Sequence, residues 1–266
     1  MRIRILILMF AMSLAPLPAR GREAAAPFCP GERLEFSLRW QNIPAGRASL
    51  EVMPPALVED EPALHLRMTA QTNSFVDVFY TVRDQVDAYV APDLSRALRY
   101  EKRQREGSYK RDITVRFFWD RSRAQYSNQV NGPKDPIIIL PGTLDPLSVF
   151  FGFRLADIKE GAAYTAPVTD GVKCVIGSAT VVGRETVSVP AGDFDAYVVE
   201  PELRHIGGVF RKSRDARIRV WVTADDRRMP VMVSSKVAVG RFYAVLTGFE
   251  RPQCGPVAAG GGPDGP

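Results

Sequence analysis

The stretch RLEFSLRW, residues 33–40, alternates strictly between polar and apolar side chains. Successive side chains of an extended chain point to opposite faces, so this pattern predicts a β-strand with one buried and one solvated face. The same alternation recurs at residues 64–70, 113–119 and 218–222. Strands of this kind are typical of antiparallel sheets that cover a core with one face.

Turn-forming residues separate these alternating stretches. Proline, glycine, asparagine and aspartate gather at residues 44–46, 131–133, 170–171, 190–193 and 225–226, and each group favours a reversal of the chain. Their spacing predicts roughly ten to twelve strands. Because such a sheet must bury its apolar face, we expect a mainly β fold. It would be an antiparallel sheet curled into a half-barrel or β-roll with one or two short helices, and a sandwich is the alternative.

One segment departs from the alternation and predicts a helix. Asp145 and Pro146 precede the sequence LSVFFGFRL, residues 147–155. Aspartate is a favoured N-cap, and proline fits the first helical position, where its missing N–H costs no hydrogen bond. The apolar residues then fall at helical spacing and form a largely aromatic face. A second short segment, residues 75–80, fits either a helix or a strand.

The aromatic face of the predicted helix has two interpretations. Its phenylalanines either plug the core of the curled sheet or line an apolar cavity inside it, where such folds hold small hydrophobic ligands. In the second interpretation, the expected cavity-lining residues are Phe150, Phe151 and Trp119.

The first 26 residues have the pattern of a secretory signal peptide. Arg2 and Arg4 precede an apolar run from Ile5 to Leu14, and prolines and small residues follow it. The cleavage point stays open between residues 19 and 26. We therefore expect an exported, periplasmic protein, which separates it from nucleic acid as a partner.

The rest of the chain is expected to form a single β-rich domain, residues 27–254, followed by a disordered glycine- and proline-rich tail, residues 255–266. No second apolar stretch has transmembrane length, so we expect no transmembrane anchor in the mature chain. The residues before Cys29 do not fit a lipobox, so a lipid-anchored form is not expected either. The leader holds four arginines and one glutamate, and its removal lowers the net charge from +5 to +2. Overall basicity is therefore weak evidence for a polyanionic partner.

The chain has three cysteines, Cys29, Cys174 and Cys254. One thiol therefore stays free if the other two form a disulfide. Cys29 begins the expected domain and Cys254 ends it, and a bridge between them would restrain a very long loop. We expect Cys29 and Cys254 to form a disulfide in an oxidising compartment. Cys174 is then expected to be a buried, small apolar residue.

The sequence suggests no catalytic, cofactor-binding or metal-binding residues. Its two histidines are His65, which we expect to be solvated, and His205, and no Gly-x-Ser-x-Gly motif is present. Asp225 and Asp226 are typical of a turn rather than of a metal site. We therefore expect no enzymatic activity, since an enzyme would need a histidine beside a carboxylate and a hydroxyl.

Two basic stretches, residues 99–111 and 204–219, include acidic neighbours. We interpret them as solvated hairpins that charge protects from edge pairing. The alternative interpretation is a positive rim that meets anionic lipid headgroups or phosphorylated glycans.

In their order, these segments resemble a bacterial family of exported proteins known as domain of unknown function 3108. The matching residues are 30–34 with Trp40 and Gly46, 145–148 with Arg154, 190–196, and 220–223 with Asp226, Arg228, 230–231 and Gly240. The family carries no established activity, so the resemblance implies no catalytic residues. The closing pattern also resembles that of the periplasmic lipoprotein carriers, whose half-barrel holds acyl chains, at the level of the fold only.

We therefore expect a non-enzymatic module that binds an apolar or amphipathic component of the cell envelope, such as a lipid. The alternative is a protein-interaction or assembly factor of the envelope that binds an envelope protein partner. An open apolar cavity would favour the first hypothesis, and a packed interior would favour the second.

Overall fold

One antiparallel sheet dominates the fold. The computed structural model describes residues 26–204, 216–237 and 240–254, and within them the sheet has sixteen strands. The predicted number of ten to twelve strands was too low. Three strands have only two or three residues, which is too short to show an alternation in the sequence. The predicted mainly β fold with a curled antiparallel sheet and short helices is confirmed.

The elements in chain order are β1 (Arg33–Trp40), β2 (Ile43–Val52), β3 (Ala56–Val58), β4 (Glu61–Thr72), α1 (Ser74–Asp77), β5 (Arg83–Val90), β6 (Ala97–Glu106), β7 (Tyr109–Phe118), β8 (Arg123–Asn128), β9 (Gly132–Pro133), β10 (Ile137–Ile138), α2 (Pro146–Leu155), β11 (Ala163–Thr169), β12 (Cys174–Val189), β13 (Gly192–Pro201), β14 (Arg217–Thr223), β15 (Pro230–Val237) and β16 (Gly240–Glu250). A 3₁₀ turn, Trp119–Arg121, follows β7. The four alternating stretches of the sequence fall in β1, β4, β7 and β14, except that Trp119 lies in the following 3₁₀ turn, so the alternation identified these strands correctly.

The strands are ordered β10-β8-β7-β6-β5-β4-β2-β1-β16-β15-β14-β13-β12-β11 across the sheet. Strand β3 pairs with β4, and β9 pairs with β8. Most neighbours are hairpin partners, but β1 pairs with both β2 and β16. The first and last strands of the described chain therefore meet in the middle of the sheet.

The sheet curls until its two edges approach each other. The Ala97 N–H of β6 donates a hydrogen bond to the Thr143 carbonyl at 3.0 Å, and Leu144 forms a parallel bridge with Val168 of β11. The turn after β11 packs so closely on β7 that a Cβ on Gly171, whose φ is +85°, would lie 2.6 Å from Val115. In the described chain, residues 139–145 thus connect the edges, and the sheet curls without closing into a barrel.

Buried apolar side chains form three clusters. The first includes Phe28, Leu66, Val115 and Phe151; the second includes Leu34, Phe36, Trp221 and Leu246; the third consists of Ile158, Val181, Val199 and Val222. Helix α2 lies between the first and third clusters, because Phe151 belongs to the first and Phe153 packs against the third.

Helix α2 begins as its sequence predicts. The Asp145 carboxylate accepts hydrogen bonds from the N–H groups of Leu147 and Ser148, both at 2.9 Å, and from the Ser148 hydroxyl at 2.5 Å. Burial raises the pKa of Asp145 to about 6, although these hydrogen bonds oppose the shift. Of the ambiguous residues 75–80, only the first three are helical, at the end of the four-residue helix α1.

Three expectations concern residues outside the described ranges. The signal peptide lies almost wholly before residue 26, the disordered tail lies after residue 254, and His205 lies between residues 204 and 216. None of the described helices combines the length and apolar character needed to cross a bilayer.

Candidate functional site

An apolar cavity of about 730 Å³ lies between helix α2 and strands β11–β14. Small-molecule sites in proteins typically have volumes of about 300–1,000 Å³ and mostly apolar linings with a few polar groups. The helix side of the cavity includes Pro146, Val149, Phe150, Gly152, Phe153 and Leu155. The sheet side includes Tyr164, Val168, Val175, Ala179, Val199, Val220 and Val222.

Helix α2 has two apolar faces, and only one of them borders the cavity. Leu147 and Phe151 are buried in the first cluster, where the Phe151 ring meets Phe28 edge-on with centroids 5.1 Å apart. Phe150 and Phe153 lie on the cavity side, and Phe153 meets Tyr164 of β11 edge-on at 5.2 Å. The helix therefore both fills the core and forms a cavity wall, which combines the two interpretations of its sequence.

The structure places the three expected lining residues in different surroundings. Phe150 lines the cavity. Phe151 is 1% exposed and lies in the core, because consecutive helical residues are turned by about 100° from each other. Trp119 follows β7, which is not one of the cavity strands. Its ring stacks on Phe117, and its Nε1–H donates a hydrogen bond to the Ala97 carbonyl at 2.8 Å. Phe151 and Trp119 are thus absent from the lining.

The sheet side of the cavity was missed in the sequence. Residues 174–182 of β12 have small or apolar side chains on both faces, so they show no alternation that would single out a lining face. The lack of polar side chains on either face is itself the signal that could have identified them, because a solvated strand face usually carries polar residues. Which face meets α2 depends on how the sheet curls.

Gly152, a glycine inside helix α2, is a second feature of the sequence that could have indicated the cavity. Glycine in a helix interior costs about 1 kcal/mol relative to alanine. A Cβ at this position would meet only Leu144 Cδ1 at 3.5 Å, which is an ordinary contact. The structure therefore has room for an alanine, and the missing side chain leaves space in the cavity wall.

Charged residues mark where the cavity meets solvent. Its lining contains four charged side chains, all of them exposed: Asp93, Asp170, Lys173 and Glu202. Asp170 also shapes the turn after β11, because its carboxylate accepts a hydrogen bond from the Val172 N–H at 3.0 Å. The cavity therefore combines an apolar interior with a polar mouth.

A buried ion cluster fixes the end of helix α2. The Arg154 guanidinium bonds both carboxylate oxygens of Glu32, at 2.6 and 3.1 Å, and its Nε–H donates to the Arg228 carbonyl at 2.9 Å. Arg251 adds a bond to Glu32 at 3.0 Å. Burial lowers the pKa of Arg154, and the Glu32 carboxylate opposes that shift. Four separate segments of the chain thus meet at one carboxylate and one guanidinium.

The two ends of the described chain are joined beside this cluster. Cys29 and Cys254 form a disulfide with their Cα atoms 5.5 Å apart. Cys174 is free and half-buried, with its Sγ 3.5 Å from the Thr143 hydroxyl oxygen.

His65 is not solvated as expected. Its side chain is only 12% exposed, its Nε2 lies 2.7 Å from the Asp87 carboxylate, and its ring stacks on Tyr89. Strand β5, which pairs with β4, covers it. Burial alone would raise the pKa of Asp87, but hydrogen bonds from His65, Gln85 and Arg67 outweigh it and hold that pKa well below its ordinary value. His65 has a carboxylate partner but is not part of the cavity lining.

Within the described residues, the basic and acidic motifs of the sequence lie in a hairpin and in a turn. The stretch 99–111 lies in the β6–β7 hairpin, which is inside the sheet rather than at an edge, so edge protection does not explain its charges. Most of the second basic stretch lies outside the described residues. Asp225 forms the predicted turn, and its carboxylate accepts a hydrogen bond from the Arg227 N–H at 3.0 Å.

Residues 35–247 match the model of a family described as "Protein of unknown function (DUF3108)". No curated protein matches the chain. Among solved structures, it is similar to a β-barrel-like protein of domain of unknown function DUF1849 from Brucella abortus. The TM-score is 0.57 at 10% sequence identity, and the match covers 86% of this chain and 100% of that one. This similarity shows the fold alone.

Two further structures match with the same identity and coverage but lower TM-scores. One, from Bacteroides fragilis, is described as an exported protein with a YmcC-like fold and has a TM-score of 0.39. The other, from Parabacteroides distasonis, is described as a lipoprotein and has a TM-score of 0.35. Scores this low carry no argument about the present chain.

Proposed function

The chain belongs to the domain of unknown function 3108 family, and we propose that it is an exported, non-enzymatic protein that binds an apolar or amphipathic component of the cell envelope. The observation that carries this proposal is the apolar cavity between α2 and β11–β14. An envelope lipid or another molecule with an alkyl chain is the class of ligand that fits an apolar interior behind a polar mouth.

The driving force for such a ligand is the burial of its hydrocarbon. Each buried methylene contributes about 0.8 kcal/mol, so ten of them contribute about 8 kcal/mol before the costs of association. That sum corresponds to micromolar affinity at best. The cavity walls supply the necessary surface, because valine, phenylalanine, leucine and alanine provide most of the lining.

The mouth suits the polar end of an amphipathic ligand. Asp93, Asp170, Lys173 and Glu202 are exposed while the side chains behind them are apolar. A headgroup at this position keeps its hydration, so a charged group need not be buried without a partner.

Export is the second part of the proposal. The leader-like residues 1–26 support it. The disulfide between Cys29 and Cys254 also fits an oxidising compartment such as the periplasm. The alternative function, an assembly factor, predicts a packed interior, and the cavity is the reason for preferring a binding protein.

Titration with a fluorescent fatty-acid probe tests the cavity. We expect the wild type to bind the probe saturably and Gly152→Leu to bind it at least tenfold more weakly, because the new side chain occupies the cavity wall. Gly152→Ala is the matched control. It should bind the probe like the wild type and raise the free energy of unfolding by about 0.5–1 kcal/mol, since alanine is the better helix former.

Failure of the wild type to bind the probe, or equal binding by a folded Gly152→Leu variant, would contradict the proposal. Protein purified from the envelope of its source provides an independent readout. Mass spectrometry of its organic extract should find a lipid in stoichiometric amount with the wild type and much less with Gly152→Leu.

A further inference from the structure

A group of apolar side chains is exposed at one end of the sheet, away from the cavity. Phe75, Val78 and Phe79, in and just after α1, are 61%, 78% and 77% exposed. Trp40 and Phe242, which end β1 and begin β16, are 42% and 39% exposed. Together with Tyr80, at 50%, these six residues are called the aromatic rim below. Large exposed apolar patches with polar residues around them often mark sites that bind a protein or a membrane.

The segments that carry the aromatic rim are joined into one surface. The Trp40 and Phe242 rings stack with centroids 6.4 Å apart. Tyr80 lies against the β6–β7 turn, where a Cβ on Gly107 would be 3.0 Å from its ring. An apolar groove of about 630 Å³ connects the two groups, since Trp40, Val76, Tyr80 and Phe242 all line it.

Polar contacts hold the protruding residues outward. The Asn73 side chain caps α1 by accepting a hydrogen bond from the Val76 N–H at 3.0 Å, and it donates to the Pro44 carbonyl at 2.8 Å. Asp77 bonds the Thr72 hydroxyl at 2.5 Å and the Arg83 guanidinium at 2.6 Å. The loop is thus fixed through its polar groups, which leaves Phe75 and its apolar neighbours directed to solvent.

Basic side chains surround the aromatic rim. Residues 39–47, 71–84, 105–112, 236–237 and 240–242 form this end of the sheet and contain eight basic and four acidic residues. Two of the acidic residues are engaged, Asp77 with Arg83 and Asp112 with Arg105. Exposed Lys110, Lys236 and Arg241 have no ion pair within the described part of the chain. This end is therefore more positive than the mature chain as a whole.

We propose that the aromatic rim docks on an anionic lipid bilayer. Phe75, Val78 and Phe79 would enter the headgroup region, with the basic side chains facing the lipid phosphates. Aromatic residues are favoured at this depth, and basic residues near an anionic surface each contribute about 1 kcal/mol. The cores of protein interfaces are depleted of charge and packed against a broad surface. Three strongly protruding side chains among lysines and arginines fit a lipid surface better than such an interface.

Vesicle flotation tests this proposal with the protein purified from its source. We expect the wild type to float with phosphatidylethanolamine vesicles that contain one-third phosphatidylglycerol. The double variant Phe75→Ser/Phe79→Ser should bind at least tenfold more weakly. Leu57→Ser is the matched control: Leu57 is 69% exposed in β3, beside the opposite end of β4. It should bind like the wild type.

A second variant tests the role of charge. Lys110→Glu/Arg241→Glu should reduce binding to the anionic vesicles several-fold, and high salt should reduce wild-type binding similarly. Absence of wild-type flotation, or equal flotation of the Phe75→Ser/Phe79→Ser variant, would overturn the proposal. So would capture of a protein through the same two phenylalanines without any vesicle binding. The fatty-acid probe should bind this double variant normally, so failure of docking is distinguishable from failure of the cavity proposal.

Discussion

At the scale of single residues, Arg154 is the largest fully buried side chain among the described residues. Its charge is balanced by Glu32 and by backbone carbonyls of Arg227, Arg228 and Pro27. Its guanidinium also lies 4.7 Å from the centre of the Phe28 ring. Glu32 and Arg154 are both among the residues that carry the family resemblance. Their geometry indicates that these motif positions hold the fold together rather than bind a ligand.

Replacement of Arg154 by methionine should destabilise the protein by about 3–5 kcal/mol, because it leaves the Glu32 carboxylate buried without its main partner. Urea unfolding at neutral pH measures this difference. Arg184→Met is the matched control, since Arg184 pairs with Asp195 at the surface, where both side chains are about half exposed. It should change the free energy of unfolding far less. Equal effects of the two substitutions would contradict the structural role of the Arg154 cluster.

At the scale of elements, helix α2 depends on its buried cap. Asp145 is completely buried and accepts three hydrogen bonds within its own first turn. Its pKa in the folded protein, about 6, lies above the ordinary value of 3.8. The folded state therefore holds the proton more tightly than the unfolded state. The corresponding stability is fully present below pH 3.8 and is lost as the pH rises through 6.

Asp145→Asn should remove this pH dependence. Relative to the variant, the wild type should lose up to about 3 kcal/mol of unfolding free energy between pH 4 and pH 7, since each pKa unit corresponds to about 1.4 kcal/mol. Urea unfolding of both proteins at several pH values gives the difference. A difference that stays constant over this range would show that Asp145 does not titrate as described.

The elements differ in how well the sequence predicts them. Strand β1 coincides with the alternating stretch 33–40, in which Leu34 and Phe36 are buried while Arg33 and Glu35 are exposed. The start of helix α2 is predicted by Asp145 and Pro146, because their preferences for the N-cap and the first helical position depend only on neighbouring residues. Residues 75–80 gave no clear prediction, since their apolar side chains face solvent and so follow neither periodicity. The sheet side of the cavity depends on long-range curling, which a local pattern does not contain.

At the scale of the whole molecule, a disulfide joins the two ends of the described chain, at residues that are 225 positions apart. It lies beside the Glu32 carboxylate, which binds both Arg154 and Arg251. The aromatic rim lies apart from this region, since its Trp40 is at the other end of β1 from Glu32. The cavity instead borders it, because Phe153 and Leu155 line the cavity on either side of Arg154.

Reduction should lower the free energy of unfolding by about 5 kcal/mol, because the unfolded chain regains the entropy of a very long loop. Unfolding with and without dithiothreitol measures this loss. The Cys29→Ser/Cys254→Ser variant should be insensitive to the reductant, whereas Cys174→Ser should respond like the wild type. Full sensitivity of the double variant would show that the disulfide is not the cause.

The position of β1 between β2 and β16 has a consequence for when the chain can fold. Contacts between residues so far apart in sequence form late, because the intervening loop must first lose its entropy. A chain that is threaded through a membrane with its N-terminus first presents β1 long before β16. The middle of the sheet then lacks one strand until translocation is nearly complete. If the chain is exported as proposed, the strand order would therefore delay completion of the sheet until most of the chain has crossed the membrane.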